Sequence, residues 1–242
     1  MSTNEALAPL PRIWITAGTN LAVWGKAGTY KLIPAELLPP LPATKRDGSF
    51  DWLRAEVEIP YGLDFGDADR EDEGDGERKA SVHVRLARIV GEAKKLGLTV
   101  PGELVRFIDD EGLHQRVASC TSCYLDVPSM LVPLPDGRQG RLLRFMNDQQ
   151  CCYLWYVHLQ PGGAHQIIGA SPDFADELKG DSLDEVCRPT KLVVCAPSFE
   201  EFIQRFWIEN ALWFACNKGT PLTPSQQAYA DAAKANITSA PA

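Results

Sequence analysis

The sequence predicts an α+β fold: an antiparallel sheet of about four to six strands with helices packed on one side. Three observations carry this. Residues 79–97 and 101–112 space their apolar side chains at helical intervals. From about residue 118 to 170 the period falls to two, with turn residues between the runs. The aromatic segment SFEEFIQRFWIENALWFA, 198–215, then returns to helical spacing.

The elements follow in chain order. RIWIT and NLAVW, within residues 11–33, are short β-branched or aromatic runs punctuated by Gly18, Gly25 and Gly28, and a small hairpin or meander is expected. Pro34, Pro39, Pro40 and Pro42 then stop any long helix, although Pro34 suits the start of a short one. FDWLRAEVEIP reads as a short amphipathic element. Residues 67–78, DADREDEGDGER, hold seven acids and two arginines, a local charge of −5, and read as a solvated, flexible linker. A calcium loop is not supported, since position six from Asp67 is Asp72 rather than Gly and position twelve is Arg78 rather than Glu.

In the helix expected over 79–97, residues 82, 86, 89, 90 and 93 form the apolar face, and Gly97 stands where a helix terminates. Pro101 suits the first turn of the next helix, Leu104, Val105, Phe107 and Ile108 give it an apolar side, and Gly112 ends it. ASCTSCYLDVPSMLVPLP, GRLLRFMN, CCYLWYVHL and AHQIIGA read as strands. Pro135-Asp136-Gly137, Asn147-Asp148 and Pro161-Gly162-Gly163 supply the turns. In CCYLWYVHL the residues Cys151, Tyr153, Trp155, Val157 and Leu159 share one face, and Cys152, Leu154, Tyr156 and His158 the other. Both faces are mostly apolar, so this strand is expected at the centre of the sheet with cover on both sides. Residues 171–190 read as a loop or short helix, and KLVVCA as a last strand.

Ser198 and Glu201 have the spacing of a capping box at the start of the aromatic helix. Phe199, Phe202, Ile203, Phe206, Asn210 and Trp213 follow the i, i+3, i+4 rule, while Trp207, Ile208, Leu212 and Phe214 widen the apolar surface. Such a helix is nearly surrounded, or lends part of its surface to a partner. The expected organisation is an N-terminal extension with a small β element (1–66), the acidic linker (67–78), an α+β domain (79–216) and a C-terminal tail (217–242), either loosely helical after Pro224 or disordered.

Composition limits the function. A chain of 242 residues, 45% hydrophobic and 23% charged, can bury a core without disulfides or metals. It has no run of about 18 apolar residues, and MSTNEALAPLPRIW lacks the regions of a secretory signal. Seven cysteines cannot all pair within the chain, and a cytoplasmic protein with reduced thiols is expected. The net charge of −8 and the lack of a clustered basic patch argue against nucleic acid. No GxGxxG or Walker sequence occurs.

Three places could carry chemistry or recognition. Cys120-Thr-Ser-Cys123 has zinc-knuckle spacing, but Cys151 and Cys152 would point to opposite faces of a strand and so make a poor second pair for one ion. Cys120 and Cys123 therefore stand as the metal candidates, against the commoner role of free cysteine as a small buried thiol. His158 and His165 flank the PGG turn, yet no nucleophile elbow, oxyanion motif or third orienting residue accompanies them, and no catalytic residue is assigned. The polar turn Asp148, Gln149 and Gln150, with Glu209, Asn210 and Trp213 of the aromatic helix, are the candidate partner-binding residues. Loops on rigid scaffolds recognise, and polar groups on an apolar helix face water, a buried partner or another chain.

LTVPGELVRFI, the strands RLLRFMN, YLWYVHL and HQIIG, and APSFEEFIQRFWIENALWFA together resemble the SMI1/KNR4 (SUKH) superfamily over residues 97–216. The likeness lies in the leucine–proline entry to an apolar helix, the central sheet, and the closing helix introduced by a serine–phenylalanine pair. The sequence departs from the family's Gly-rich turn between central strands, having NDQQ instead, and residues 1–78 have no counterpart. The resemblance implies a non-enzymatic protein-binding module without a cofactor. Bacterial members often act as immunity proteins against toxins, and fungal members serve as interaction hubs. A cysteine-ligated metalloprotein or enzyme, and a regulatory scaffold whose acidic linker engages a basic partner, are the alternatives.

Overall fold

A computed structural model describes residues 7–16, 30–54, 62–66, 81–150, 152–170 and 192–238. The expectations for NLAVW, residues 55–60, the acidic run 67–78, Cys151 and the segment 171–190 lie outside the described residues. The fold class is α+β, as the periodicity predicted. Among the described residues a five-stranded antiparallel sheet has the order β3-β4-β5-β6-β7, formed by β3 (Tyr124–Leu125), β4 (Arg141–Asn147), β5 (Leu154–Leu159), β6 (His165–Ala170) and β7 (Val193–Ala196). A two-stranded sheet pairs β1 (Ile13–Ile15) with β2 (Leu32–Pro34).

β5 is the middle strand, and its alternation holds. Trp155, Val157 and Leu159 enter the main core, while Leu154 and Tyr156 enter a smaller cluster with Val132, Leu134 and Leu142 on the opposite face. The strand starts at Leu154 rather than Cys151, because Asp148 folds the preceding residues into a turn. β4 carries a bulge between Arg144 and Met146. The extra residue brings both Phe145 and Met146 to the main core. The expected strand at 118–135 shrinks to Tyr124–Leu125 and isolated bridges from Ala118 to Gly62, Leu125 to Phe65 and Val132 to Leu142. Pro128, Pro133 and Pro135 have no N–H to give a ladder.

The helices are α1 (Asp51–Arg54), α2 (Val82–Lys95), α3 (Gly102–Asp109), α4 (Glu111–His114), α5 (Phe199–Lys218) and α6 (Pro224–Thr238). Ser81 caps α2, accepting from the Val84 N–H. Val82, Leu86, Ile89 and Ala93 of α2 are buried, but Val90 is exposed, and Gly97 takes the left-handed conformation (φ 70°) beyond its end. α3 follows Pro101 and buries Leu104, Phe107 and Ile108. It ends at Asp109, before Gly112, because Asp110 is extended (ψ 93°) and a new turn of helix, α4, contains that glycine. α5 runs 20 residues from Ser198, whose hydroxyl accepts the Glu201 N–H at 3.2 Å. Phe199 and Phe202 pack against Phe145, Trp155, Trp14 and Phe107 through ring contacts of 5.1 to 6.2 Å, and Phe206 stacks on Phe202 at 6.0 Å.

Residues of the expected extension, domain and tail share one core. Trp14, Ile15, Phe50, Leu53 and Leu63 from the N-terminal part, and Tyr229, Ala230 and Ala233 from α6, belong to the same core cluster as the sheet and α5. β1 lies beside β7, where Val194 N–H donates to the Pro11 carbonyl. Gly169 makes this close approach possible: a Cβ there would stand 2.4 Å from Ile15 Cδ1 and 2.8 Å from Cys195 Sγ. The tail takes the helical option after Pro224.

Candidate functional site

α5 organises the polar interior. Its low amphipathicity has a local explanation: besides the aromatic face it carries two i, i+4 polar pairs, Glu200–Gln204 and Arg205–Glu209, all buried. The first pair holds the proline-rich segment. Glu200 accepts from the Gly48 N–H at 2.7 Å and from Trp52 Nε1 at 2.8 Å. Gln204 accepts from Arg46 at 2.7 Å and donates to the Pro42 carbonyl at 3.2 Å and to Thr44 Oγ1 at 3.0 Å. The second pair joins both ends of the chain. Glu209 accepts from Trp14 Nε1 and from the Tyr229 hydroxyl, each at 2.9 Å. Arg205 donates to that hydroxyl at 3.0 Å and to the Pro39 carbonyl at 3.1 Å, and its guanidinium lies 5.9 Å from the centroids of both Trp14 and Tyr229. Burial, reinforced by the Glu209 charge, holds the Tyr229 phenol far above its ordinary range.

The residues singled out from sequence divide accordingly. Glu209 is internal, and so is Asn210, whose side chain accepts the Cys120 N–H at 2.7 Å and donates to the Phe206 carbonyl at 2.8 Å. Both are buried and bonded within the chain, whereas the sequence offered them as partner-binding residues. Asp148 is also buried, at 3% exposure, and its carboxylate accepts the N–H groups of Gln150 (3.3 Å) and Tyr153 (3.0 Å). It shapes the turn rather than presenting itself at the tip. Gln149 and Gln150 are exposed at that tip. Trp213 is half-buried, edge-on to Phe214 at 5.0 Å, and lies outside the core cluster. Phe214 in turn faces the Lys218 ammonium at 5.6 Å.

The cysteine and histidine candidates are held in place by the fold. Burial, with Cys123 adding to it, pushes the Cys120 thiol up to about 12, and burial likewise raises Cys123. Both are thus held above the ordinary thiol range, which disfavours a thiolate nucleophile. The Cys123 N–H donates to Ser119 Oγ at 2.8 Å, so the CxxC segment is a tight turn tied to α5 through Asn210. Among the described residues no group of three or more His, Cys, Asp or Glu side chains has metal-binding placement. His158 Nε2 donates to the Gln139 carbonyl at 2.9 Å, and Nδ1 accepts from the amides of Gln160 and Gln166 at 3.3 Å. Burial pushes this imidazole below its ordinary range, against the Gln139 hydrogen bond. His165 does not meet His158; its Nε2 donates to Glu103 at 3.2 Å.

Glu103 carried no mark in the sequence beyond being an acid in the first turn of α3. Its carboxylate accepts the Phe199 and Glu200 N–H groups at 3.0 and 3.3 Å, capping α5 from another helix. Burial opposes its charge, but the His165 and backbone hydrogen bonds outweigh burial and hold the carboxyl below its usual range. Glu200, Gln204 and Arg205 did leave a signal: charged and amide groups repeating every four residues along a helix too apolar to face water. Among the described residues no helix is long and apolar enough to cross a membrane. Compared with protein-family models, curated proteins and solved structures, the chain finds no match.

Proposed function

We propose that this chain is a cytoplasmic, non-enzymatic protein-binding module of the SMI1/KNR4 (SUKH) kind, and that its partner is a toxin domain it neutralises. The carrying observation is the order of the packed elements: an apolar helix entered through Pro101, an antiparallel meander from β4 to β6, and a closing helix introduced by Ser198 and Phe199. That order resembles the family's. Its Gly-rich turn is replaced here by a turn that the Asp148 carboxylate closes through two N–H groups. Further support comes from His158, whose two ring nitrogens are both bonded within the fold.

Two accessible features are available for contact, one exposed and one half-buried. Gln149 and Gln150 top a turn fixed from below, and Trp213 with Phe214 makes an accessible aromatic pair. Tryptophan is enriched among residues that dominate binding energy, at about 2 kcal/mol or more when truncated. The test is functional. The chain is co-expressed with the toxin-domain protein recovered alongside it from the native host, and growth is scored. Neutralisation that Trp213→Ala weakens, with the variant still folded by circular dichroism, is the expected result. Unrelieved toxicity with the intact chain present would reject the proposal.

A further inference from the structure

A cleft of about 250 Å³ opens beside the α5 clamp, between the proline-rich segment and the edge of β7. Its chemistry is cationic. Arg12, Arg46 and Arg205 line it, with Glu201 as the opposing charge, and Pro39 and Pro40 form part of one wall. This runs against the net charge of −8. No ion pair engages these three arginines among the described residues: Arg46 is bonded to the neutral Gln204 amide, and Arg12 has no recorded side-chain partner. Arg205 is only 6% exposed, and both of its recorded hydrogen bonds use one terminal nitrogen, leaving Nε and the other terminal nitrogen without an acceptor among the described residues. Glu209 lies behind it, already accepting from Trp14 and Tyr229.

The unbonded Arg205 donors are not among the buried unsatisfied atoms of the described residues, so they open on the cleft, and two more positive groups beside them raise the local potential. The guanidinium is also preorganised: Trp14 and Tyr229 lie against it, and the Pro39 carbonyl and Tyr229 hydroxyl fix its rotation. Rigid planar donors suit an oxyanion, which can accept two parallel N–H bonds. One water occupies ~30 Å³ of liquid, so the cleft has room for a phosphate or a carboxylate with several waters.

We infer that this cleft is a binding site for an oxyanion, a phosphate or carboxylate group seated on Arg205 and flanked by Arg12 and Arg46. The site goes beyond the proposed toxin binding and stands on its own residues. The group could arrive as a free ion or as an acidic side chain of a peptide, and both are tested.

The experiment titrates the full chain with inorganic phosphate and, separately, with an acetylated, amidated Glu-Glu dipeptide. Arginine Nε–H signals are followed by NMR. A saturable shift of the Arg205 signal is expected with at least one probe. Saturation by phosphate alone identifies a free ion as the source, and saturation by the dipeptide alone an acidic side chain. Arg12 and Arg46 are exposed, so the double variant R12Q/R46Q retains the fold. It should raise the dissociation constant by about tenfold or more, the value of one charge-assisted hydrogen bond. Glu201→Gln should lower that constant, because it removes the carboxylate that lines the cleft among the described residues. No saturable shift with either probe, or equal affinity in the double variant, overturns the inference.

Discussion

Glu209 shows what one side chain does in this molecule. It is the acceptor for Trp14 from the N-terminal part and for Tyr229 from the C-terminal helix. Glu209→Ala leaves the buried Trp14 indole N–H and the Tyr229 O–H without their acceptor and removes a carboxylate one turn from Arg205. A loss of about 3 kcal/mol is expected in urea unfolding, whereas Gln149→Ala at the exposed tip should change stability by less than about 0.5 kcal/mol. Equal effects would contradict the assigned roles. Glu103 and His158 set the response to acid, and both act in the same direction. The Glu103 carboxyl is depressed in the folded state, so its contribution is present above the unfolded value near ~4.3 and fades as pH falls through the folded one. The His158 imidazole is also depressed, so the unfolded chain takes up its proton first as pH falls below ~6.5, and stability drops there. Unfolding free energies measured from neutral to acidic pH should fall in both windows, and Glu103→Gln should flatten the lower one. Neither role was legible in the sequence. A carboxylate capping a helix 96 residues away leaves no local pattern.

At the scale of elements, α5 and β5 were the most readable, because period and length agree within each. Trp155, Val157 and Leu159 fell on one face as the alternation required. The segment 118–135 was less readable: its apolar content suggested a strand, while its prolines forbade a ladder, and the prolines prevailed. Asp148, Glu209 and Asn210 were misjudged for a shared reason. Each is polar in an exposed-looking context, but each is consumed by backbone or side-chain groups distant in sequence, or hidden within its own turn. The meeting of β1 with the sheet was invisible for the same reason, although Gly169 in a buried strand marks it afterwards. Gly169→Ala should destabilise the protein by about 1–3 kcal/mol through overpacking against Ile15 and Cys195. Ile15→Val removes the closest clashing carbon, so the double variant should lose less than the sum of the two single losses. Additive losses would show that β1 does not lie where Ile15 meets Gly169.

Over the whole molecule, segments that looked peripheral complete the core. α6 contributes Tyr229, which is 2% exposed and bonded to both Arg205 and Glu209. Deleting residues 219–242 should therefore cost at least about 3 kcal/mol, the burial of one large side chain plus a charge-assisted bond. An unchanged melting temperature would return α6 to the status of a tail. The proposed binding rests on surfaces: the turn tip, the aromatic end of α5 and the arginine-lined cleft. The most direct measurement is affinity capture of the tagged full chain from its native host, followed by calorimetric titration of the recovered protein in purified form. One toxin-domain protein binding at a one-to-one ratio, with an affinity in the range of stable complexes of about 1 nM to 1 μM, is the expected result. Recovery of the chain alone, or a partner whose binding does not saturate, would contradict a binding module and return attention to its cysteines.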